Sequence, residues 1–89
     1  MNYDNIVTSL THYYNINFIG RKQDNDVFVI VGETKAKSIR IQLHQRAKQV
    51  SIEVIDDGKF GYRSIQKVET LGNFEDQTIF KHITENLSL

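Results

Sequence analysis

The residue types that most often carry catalysis are sparse in this 89-residue chain, which contains no cysteine. Without thiols the sequence offers no disulfide, no thiolate metal ligand and no cysteine nucleophile. The three histidines, His12, His44 and His82, lie on three different predicted elements, and none has a second ligand at helix or strand spacing. We therefore expect neither a metal site nor a bound cofactor.

One group of residues has the types found in metal-dependent nucleases: Asp26, followed by Glu33-Thr34-Lys35. In such enzymes the carboxylates share one divalent ion. Asp26 and Glu33 bracket a predicted strand, which at about 3.3 Å per residue places them roughly 20 Å apart. The serines lack the glycine pattern of a nucleophile elbow, and the glycines occur singly instead of in a phosphate-binding loop. The sequence therefore predicts a protein that is not an enzyme.

Charge is unevenly distributed, although 11 Lys and Arg residues balance 11 Asp and Glu residues. Residues 21–50 contain seven basic and three acidic residues, whereas the rest of the chain contains four basic and eight acidic ones. This distribution predicts one positive and one negative lobe.

Helical periodicity appears at both ends of the chain. Near the N-terminus, apolar residues recur at spacings of three and four, and Asn2 or Asp4 could cap the helix. This stripe consists of Tyr3, Ile6, Val7, Leu10, Tyr13 and Tyr14. Near the C-terminus, Gly72-Asn73 is predicted to stop the preceding element and cap a second helix, with Glu75 and Asp76 in its first turn. Its apolar stripe consists of Ile79, Phe80, Ile83 and Leu87.

Alternating apolar residues predict two strands after the first helix. Ile16 and Phe18 begin one of them, which a turn at 23–26 ends. The second, Val27–Val31, is apolar on both faces, so we expect it to be central or covered on both sides. A further break is predicted at 32–35.

Three more strands are predicted in the middle of the chain. Ser38–His44 alternates strictly, and Val50, Ile52 and Val54 repeat the pattern. Asp56–Lys59 contains Asp-Gly, a strong hairpin signal. Phe60–Leu71 fits either a strand or a helical turn; we favour a strand because the hairpin directs the chain back along its neighbour.

The predicted element order is therefore α-β-β-β-β-β-α in a single domain covering residues 1–89. Two helices flanking an antiparallel meander of four to five strands form a two-layer α+β sandwich. We expect six residues from both layers to be buried together: Ile6, Leu10, Ile41, Ile52, Phe80 and Ile83.

The third predicted strand gives the candidate binding surface. Because Ile39, Ile41 and Leu43 require burial, the residues between them must point outward. Arg40, His44 and Arg46 are thus expected to project from one sheet face, next to outward-facing side chains of Val27–Val31. The predicted partner-binding residues are Lys37, Arg40, Gln42, His44, Arg46 and Lys48.

These observations favour a small protein-binding module without catalytic activity. Ile, Asn and Lys, which have AT-rich codons, make up 25 of the 89 residues, as in a low-GC bacterium or its phages and plasmids. This codon bias concerns the source genome and not the function. Inhibitors of bacterial defence nucleases, such as anti-CRISPR proteins, are often this small, so we expect a phage- or mobile-element-encoded inhibitor or regulator of that broad class. A nucleic-acid-binding accessory protein using the same basic face, and a homodimer joined through the outward valines, remain the alternatives.

Two further expectations concern location. The N-terminus lacks the basic and apolar regions of a signal peptide. The longest wholly apolar run, Val27–Val31, is far shorter than the ~20 residues that span a bilayer. The sequence therefore predicts a cytoplasmic protein with no membrane partner.

Overall fold

The computed structural model describes residues 3–58, 61–87 and 89. The two helices and five strands occur in the predicted order. They are α1 (Asp4–Tyr14), β1 (Phe18–Asp24), β2 (Val27–Glu33), β3 (Lys37–His44), β4 (Gln49–Gly58), β5 (Gly61–Thr70) and α2 (Asp76–Asn86). The α+β fold class is therefore confirmed, and so is the interpretation of the ambiguous segment near residues 62–71 as a strand.

The five strands form one antiparallel sheet in the order β1-β2-β3-β4-β5, so each strand pairs with its neighbour in the chain. Gly58 pairs with Gly61, which confirms the hairpin predicted from Asp-Gly. Lys59 and Phe60 lie outside the described residues. The pairing of β1 with β2 shifts between Gly20 and Lys22, a β-bulge that leaves one extra residue on β1.

Both helices contribute to a single core on one face of the sheet. Ile6, Leu10 and Ile83 from the helices are buried with Ile41 and Ile52 from the sheet, which confirms five of the six predicted core positions. Phe80, the sixth, is half-buried and packs against this cluster. Neither described helix is long and apolar enough to cross a membrane.

The residues at the N-terminal cap positions of both helices differ from those predicted. Helix α1 begins at Asp4, and the carbonyl of Tyr3 accepts hydrogen bonds from the amides of Ile6 and Val7. Tyr3 takes the cap position because its ring is buried in the core, and it makes no side-chain capping bond. Asn2 lies outside the described residues.

At the start of α2 the cap position is occupied by Glu75, without a side-chain capping bond. Asn73 lies too early to cap α2 because Phe74, which is buried in the core, separates it from Glu75 and the helix.

The boundaries of the first two strands also differ from those predicted. Ile16 precedes β1, and Asp24 pairs with Val27, so the intervening turn contains only Asn25 and Asp26. Asn25 adopts a left-handed conformation with φ of 56°, which asparagine tolerates better than most residues.

Strand β2 extends two residues into the break predicted at 32–35 and ends at Glu33. Gly32 lies directly opposite Phe18, and a Cβ atom at position 32 would stand 2.7 Å from the Phe18 ring. Glycine is therefore needed here to accommodate an aromatic ring and does not end the strand. Strand β2 is central, but the described helices cover only its Phe28 and Ile30 side.

Candidate functional site

We use "outer face" for the side of the sheet that points away from α1 and α2. One row of cross-strand neighbours crosses all five strands on this face. The row consists of Ile19, Val31, Arg40, Glu53 and Gln66. It changes from apolar on β1 and β2 to charged on β3 and β4, and to an amide on β5.

The described side chains on the β1–β2 half of the outer face are apolar, except Glu33 at the end of β2. Val27, Val29 and Val31 are half-buried, and Ile19 is 54% exposed. A depression of about 370 Å³ lies at this end of the face. It is lined by Asn17, Ile19, Val31, Gly32 and Glu33. A cavity of this size with an apolar side chain at its edge can accept an apolar side chain from another molecule.

The β3–β5 half of the outer face is mostly polar, although Ile55 on β4 and Val68 on β5, which is 54% exposed, also lie on it. Arg40 is exposed, whereas Gln42 and His44 are half-buried. Ser51 on β4 is only 4% exposed, and its hydroxyl accepts a hydrogen bond of 3.1 Å from the Gln66 side-chain amide. This bond joins the two strands and satisfies a hydroxyl that would be costly to bury unpaired.

This face is less basic than the sequence predicts. The register of β3 and β4 places Glu53 directly opposite Arg40, and Glu33 lies at the end of β2 on the same face. The predicted row lacked acids because it considered only one strand. Once the neighbouring strands are included, Arg40 has Glu53 as one cross-strand neighbour, and Glu33 lies on the same face.

Arg46 and Lys48 are exposed in the turn that joins β3 to β4, beyond the row of strand residues. The turn is closed by a hydrogen bond from the Lys48 amide to the Gln45 carbonyl, and Lys48 has φ of 55°. These two cations lie at the end of the sheet nearest His44.

Lys37 lies on the opposite side of the sheet from Arg40. Its cross-strand neighbour is Asp56, and both share the face of Ile39, Ile41 and Val54. Lys37 is therefore separated from the other five predicted binding residues. The reason is the two-residue period of a strand, since Lys37 is two positions before the buried Ile39.

Lys37 instead lines a cleft of about 320 Å³ on the helix side of β4 and β5. The floor is apolar, from Ile52, Val54 and Ile65, and the other lining residues are Lys37, Asp56, Arg63, Lys67 and Asn86. Sequence reasoning missed Arg63 and Lys67. Both residues are two positions from Ile65, which in a strand places all three on one face. This could be used only after the segment had been assigned as a strand.

The histidines do not assemble a metal site. His12 is exposed on α1, His44 lies on the outer face, and His82 is packed on α2. Among the described residues, no three His, Asp or Glu side chains are arranged to hold a metal ion. Asp26 directly precedes β2 and Glu33 is the last residue of β2, so the two carboxylates belong to opposite ends of this strand.

His82 connects α2 to the last strand. Its Nδ1 atom lies 3.2 Å from Glu69 Oε2 on β5 and 3.2 Å from Asn86 Nδ2 one helical turn later. The His82 side chain is only 10% exposed, whereas that of Glu69 is 64% exposed. Glu69 is therefore positioned from one side and open to solvent on the other.

Two tyrosines have perturbed acidity. Burial, together with the Asp76 carboxylate, raises the pKa of Tyr3 above its ordinary value. Its hydroxyl has no hydrogen-bond partner among the described residues. Burial and the neighbouring Tyr13 raise the pKa of Tyr14, whose hydroxyl donates to the Leu87 carbonyl over 3.3 Å. Tyr3 lies in the core and Tyr14 packs against it, so both belong to the helix side of the sheet and not to the outer face.

Comparisons with models of protein families, with curated proteins and with solved structures found no match for this chain. The candidate sites therefore rest on geometry and chemistry alone.

Proposed function

We propose that this chain is a small, non-catalytic protein-binding module, a phage- or mobile-element-encoded inhibitor or regulator, and that its interface is the outer face. The observation that carries the proposal is the cross-strand row from Ile19 to Gln66. It places apolar and charged side chains side by side on a sheet face that the described helices leave open.

The apolar half supplies the anchoring part of this interface. Ile19 is 54% exposed at the edge of a depression that also includes Val31 and Gly32. Protein interfaces combine an apolar centre with a polar rim, and most of their affinity comes from a few well-packed anchors. The partner that fits this half would insert an apolar side chain beside Ile19.

The polar half supplies orientation. Arg40 offers a planar guanidinium for bidentate contact with a carboxylate, and Glu33 and Glu53 provide acceptors on the same face. A partner with both acidic and basic groups matches this mixture better than a uniformly charged surface does.

Nucleic-acid binding is the alternative that these charges favour less. Phosphate backbones require several cations on one side, yet the outer face includes Glu33 and Glu53, and Lys37 lies on the other side. A gel-shift titration at low salt with single- and double-stranded DNA and RNA distinguishes the two functions. A retarded complex that dissociates steeply with added salt would favour nucleic-acid binding over our proposal.

The proposal is tested by two matched isoleucine substitutions. Ile19 and Ile65 are both more than half exposed, on opposite sides of the sheet. After a partner is identified by affinity capture from the bacterial host, its affinity is measured for the parent, Ile19→Asp and Ile65→Asp. Using this chain at nanomolar concentration excludes effects of self-association.

We expect Ile19→Asp to weaken binding by about tenfold or more, as removal of an interface anchor does, and Ile65→Asp to leave it nearly unchanged. The opposite result would overturn the proposal. If Ile19→Asp bound the partner as tightly as the parent and Ile65→Asp bound it more weakly, the interface would lie on the helix side of the sheet.

A further inference from the structure

In the part of the chain that the structure describes, strand β5 is an edge of the sheet that pairs only with β4, and it is exposed on both faces. Every residue from Arg63 to Thr70 is exposed, including Ile65 at 62% and Val68 at 54%. A strand of this length, with free backbone groups along one side, is a template for pairing with another strand.

The hydrogen bonds of the sheet show which backbone groups are free. The register of β4 and β5 is unbroken from the pair of Gln49 with Thr70 to the pair of Gly58 with Gly61. One step beyond it, the Leu71 amide donates to the Lys48 carbonyl, so this pair is hydrogen-bonded. Antiparallel pairs alternate between hydrogen-bonded and non-hydrogen-bonded. Odd-numbered residues of β5 therefore direct their backbone groups toward β4. Ser64, Gln66 and Val68 direct theirs toward the free edge.

We propose that two copies of this chain associate edge to edge through β5, forming one continuous ten-stranded antiparallel sheet with a two-fold axis at Gln66. In this arrangement Gln66 pairs with its own copy, and Ser64 of each chain pairs with Val68 of the other. All three have free backbone N–H and C=O groups, so each pair can exchange two hydrogen bonds.

Charge complementarity selects this register. On the helix side of β5 it places Arg63 opposite Glu69 of the second copy, and the two-fold axis repeats the pair. A shift of two residues one way places Arg63 opposite Lys67, and a shift the other way places Lys67 opposite Lys67. Like charges directly across strands are unfavourable, whereas opposite charges are favourable.

The surroundings of β5 leave room for a second copy. All described side chains of β5 are exposed, and α2 packs against β4. The Glu69 carboxylate is held 3.2 Å from His82 on its own chain and remains 64% exposed. It can therefore meet an arginine that approaches from the edge. Ile65 would lie opposite Lys67, whose aliphatic stem can cover it.

The test is a charge exchange read out by the molecular mass in solution. Sedimentation equilibrium over a concentration series reaching the millimolar range gives the dimer dissociation constant of the parent, Arg63→Glu, Glu69→Arg and the double variant. Each single change creates two like-charged pairs in the dimer, so we expect it to raise the dissociation constant about tenfold. The double variant restores opposite charges and should return close to the parent value.

Val68→Pro provides a test that does not depend on charge. Proline is tolerated on an edge strand where its missing N–H would point outward, so this variant should keep its fold and lose dimerisation. Circular dichroism and thermal melts verify that each variant is folded. Three outcomes would each overturn the proposal. The parent protein stays monomeric across the whole concentration series, the double variant dimerises no more tightly than the single variants, or a folded Val68→Pro dimerises like the parent.

Discussion

Strands β3 and β5 flank the same strand, β4, yet their environments are opposite. On β3 the residues facing the helices, Ile39, Ile41 and Leu43, are at most 1% exposed. The corresponding residues on β5 include Arg63, Ile65 and Lys67, and all are exposed. The helix layer buries residues of β3 and β4, whereas the described residues of β5 stay exposed even though His82 of α2 contacts Glu69. A strand is therefore not buried merely because it belongs to a sheet. Its side chains are buried only where a second layer packs on them.

The largest expected difference between the two strands comes from matched isoleucine truncations. Ile41→Ala should reduce the free energy of unfolding by about 2–5 kcal/mol because it leaves a cavity in the core. Ile65→Ala should change it by less than about 0.5 kcal/mol, as at most surface sites. Urea unfolding followed by circular dichroism measures both. Similar losses in the two variants would mean that β5 is covered in solution.

The helix layer itself is tested at Leu10, which is completely buried between α1 and the sheet. Leu10→Ala should cost about 2–5 kcal/mol, comparable with the whole stability of a small domain. Thermal unfolding of this variant should begin far below that of the parent. A melting temperature within a degree or two of the parent value would remove α1 from the core.

An intermediate effect is expected from Tyr3, whose buried phenol favours its neutral form. Because the folded-state pKa is raised, its contribution to stability is fully present below the unfolded-state pKa of about 10 and is lost as pH rises through the folded-state pKa. The unfolding free energy should therefore fall in alkaline solution above pH ~10. Denaturant unfolding of Tyr3→Phe across this pH range should show a shallower decline.

At neutral pH the same variant removes a hydroxyl without a hydrogen-bond partner among the described residues. Tyr3→Phe should therefore be as stable as the parent, or more stable by about 1 kcal/mol. A clear loss of stability at neutral pH would indicate that the hydroxyl is hydrogen-bonded.

The smallest expected effects concern two arginines. Arg40→Glu places a second carboxylate opposite Glu53 and should cost about 0.2–1 kcal/mol. Arg46→Glu, in the exposed turn, should change stability by less than about 0.5 kcal/mol. The double variant should remain folded and bind the partner more weakly, and calorimetry measures both properties. Unfolding of Arg46→Glu alone would contradict the position of this turn.

Periodicity predicted most of the fold because most elements have a clear repeat; the segment that became β5 was assigned from the hairpin before it. The alternation of Ile39, Ile41 and Leu43 was sufficient to place Arg40 on the outer face. The same alternation applies to Lys37, but grouping by charge placed it with Arg40. The alternation of side chains along the strand was therefore a better guide to which face a residue lies on than the charge of its side chain.

The position of Glu53 opposite Arg40 could not be predicted in this way. Cross-strand register depends on where β3 and β4 end and on the geometry of the turn between them. Sequence patterns locate strand ends only to within a few residues, and a shift of one residue would have reversed every side chain of β4.

The meander order also determines how the chain can assemble. Each strand pairs with the next one in the sequence, so the sheet consists of local hairpins with low contact order, a topology that favours rapid folding. The helix layer is different, because it joins residues as distant as Tyr14 and Leu87. During synthesis α1 is made before the strands and α2 after them, so the core that contains Ile39, Ile41 and Leu43 is completed only when α2 is made. A nascent chain that ends before Asp76 would present part of this apolar face to chaperones or to other unfinished copies.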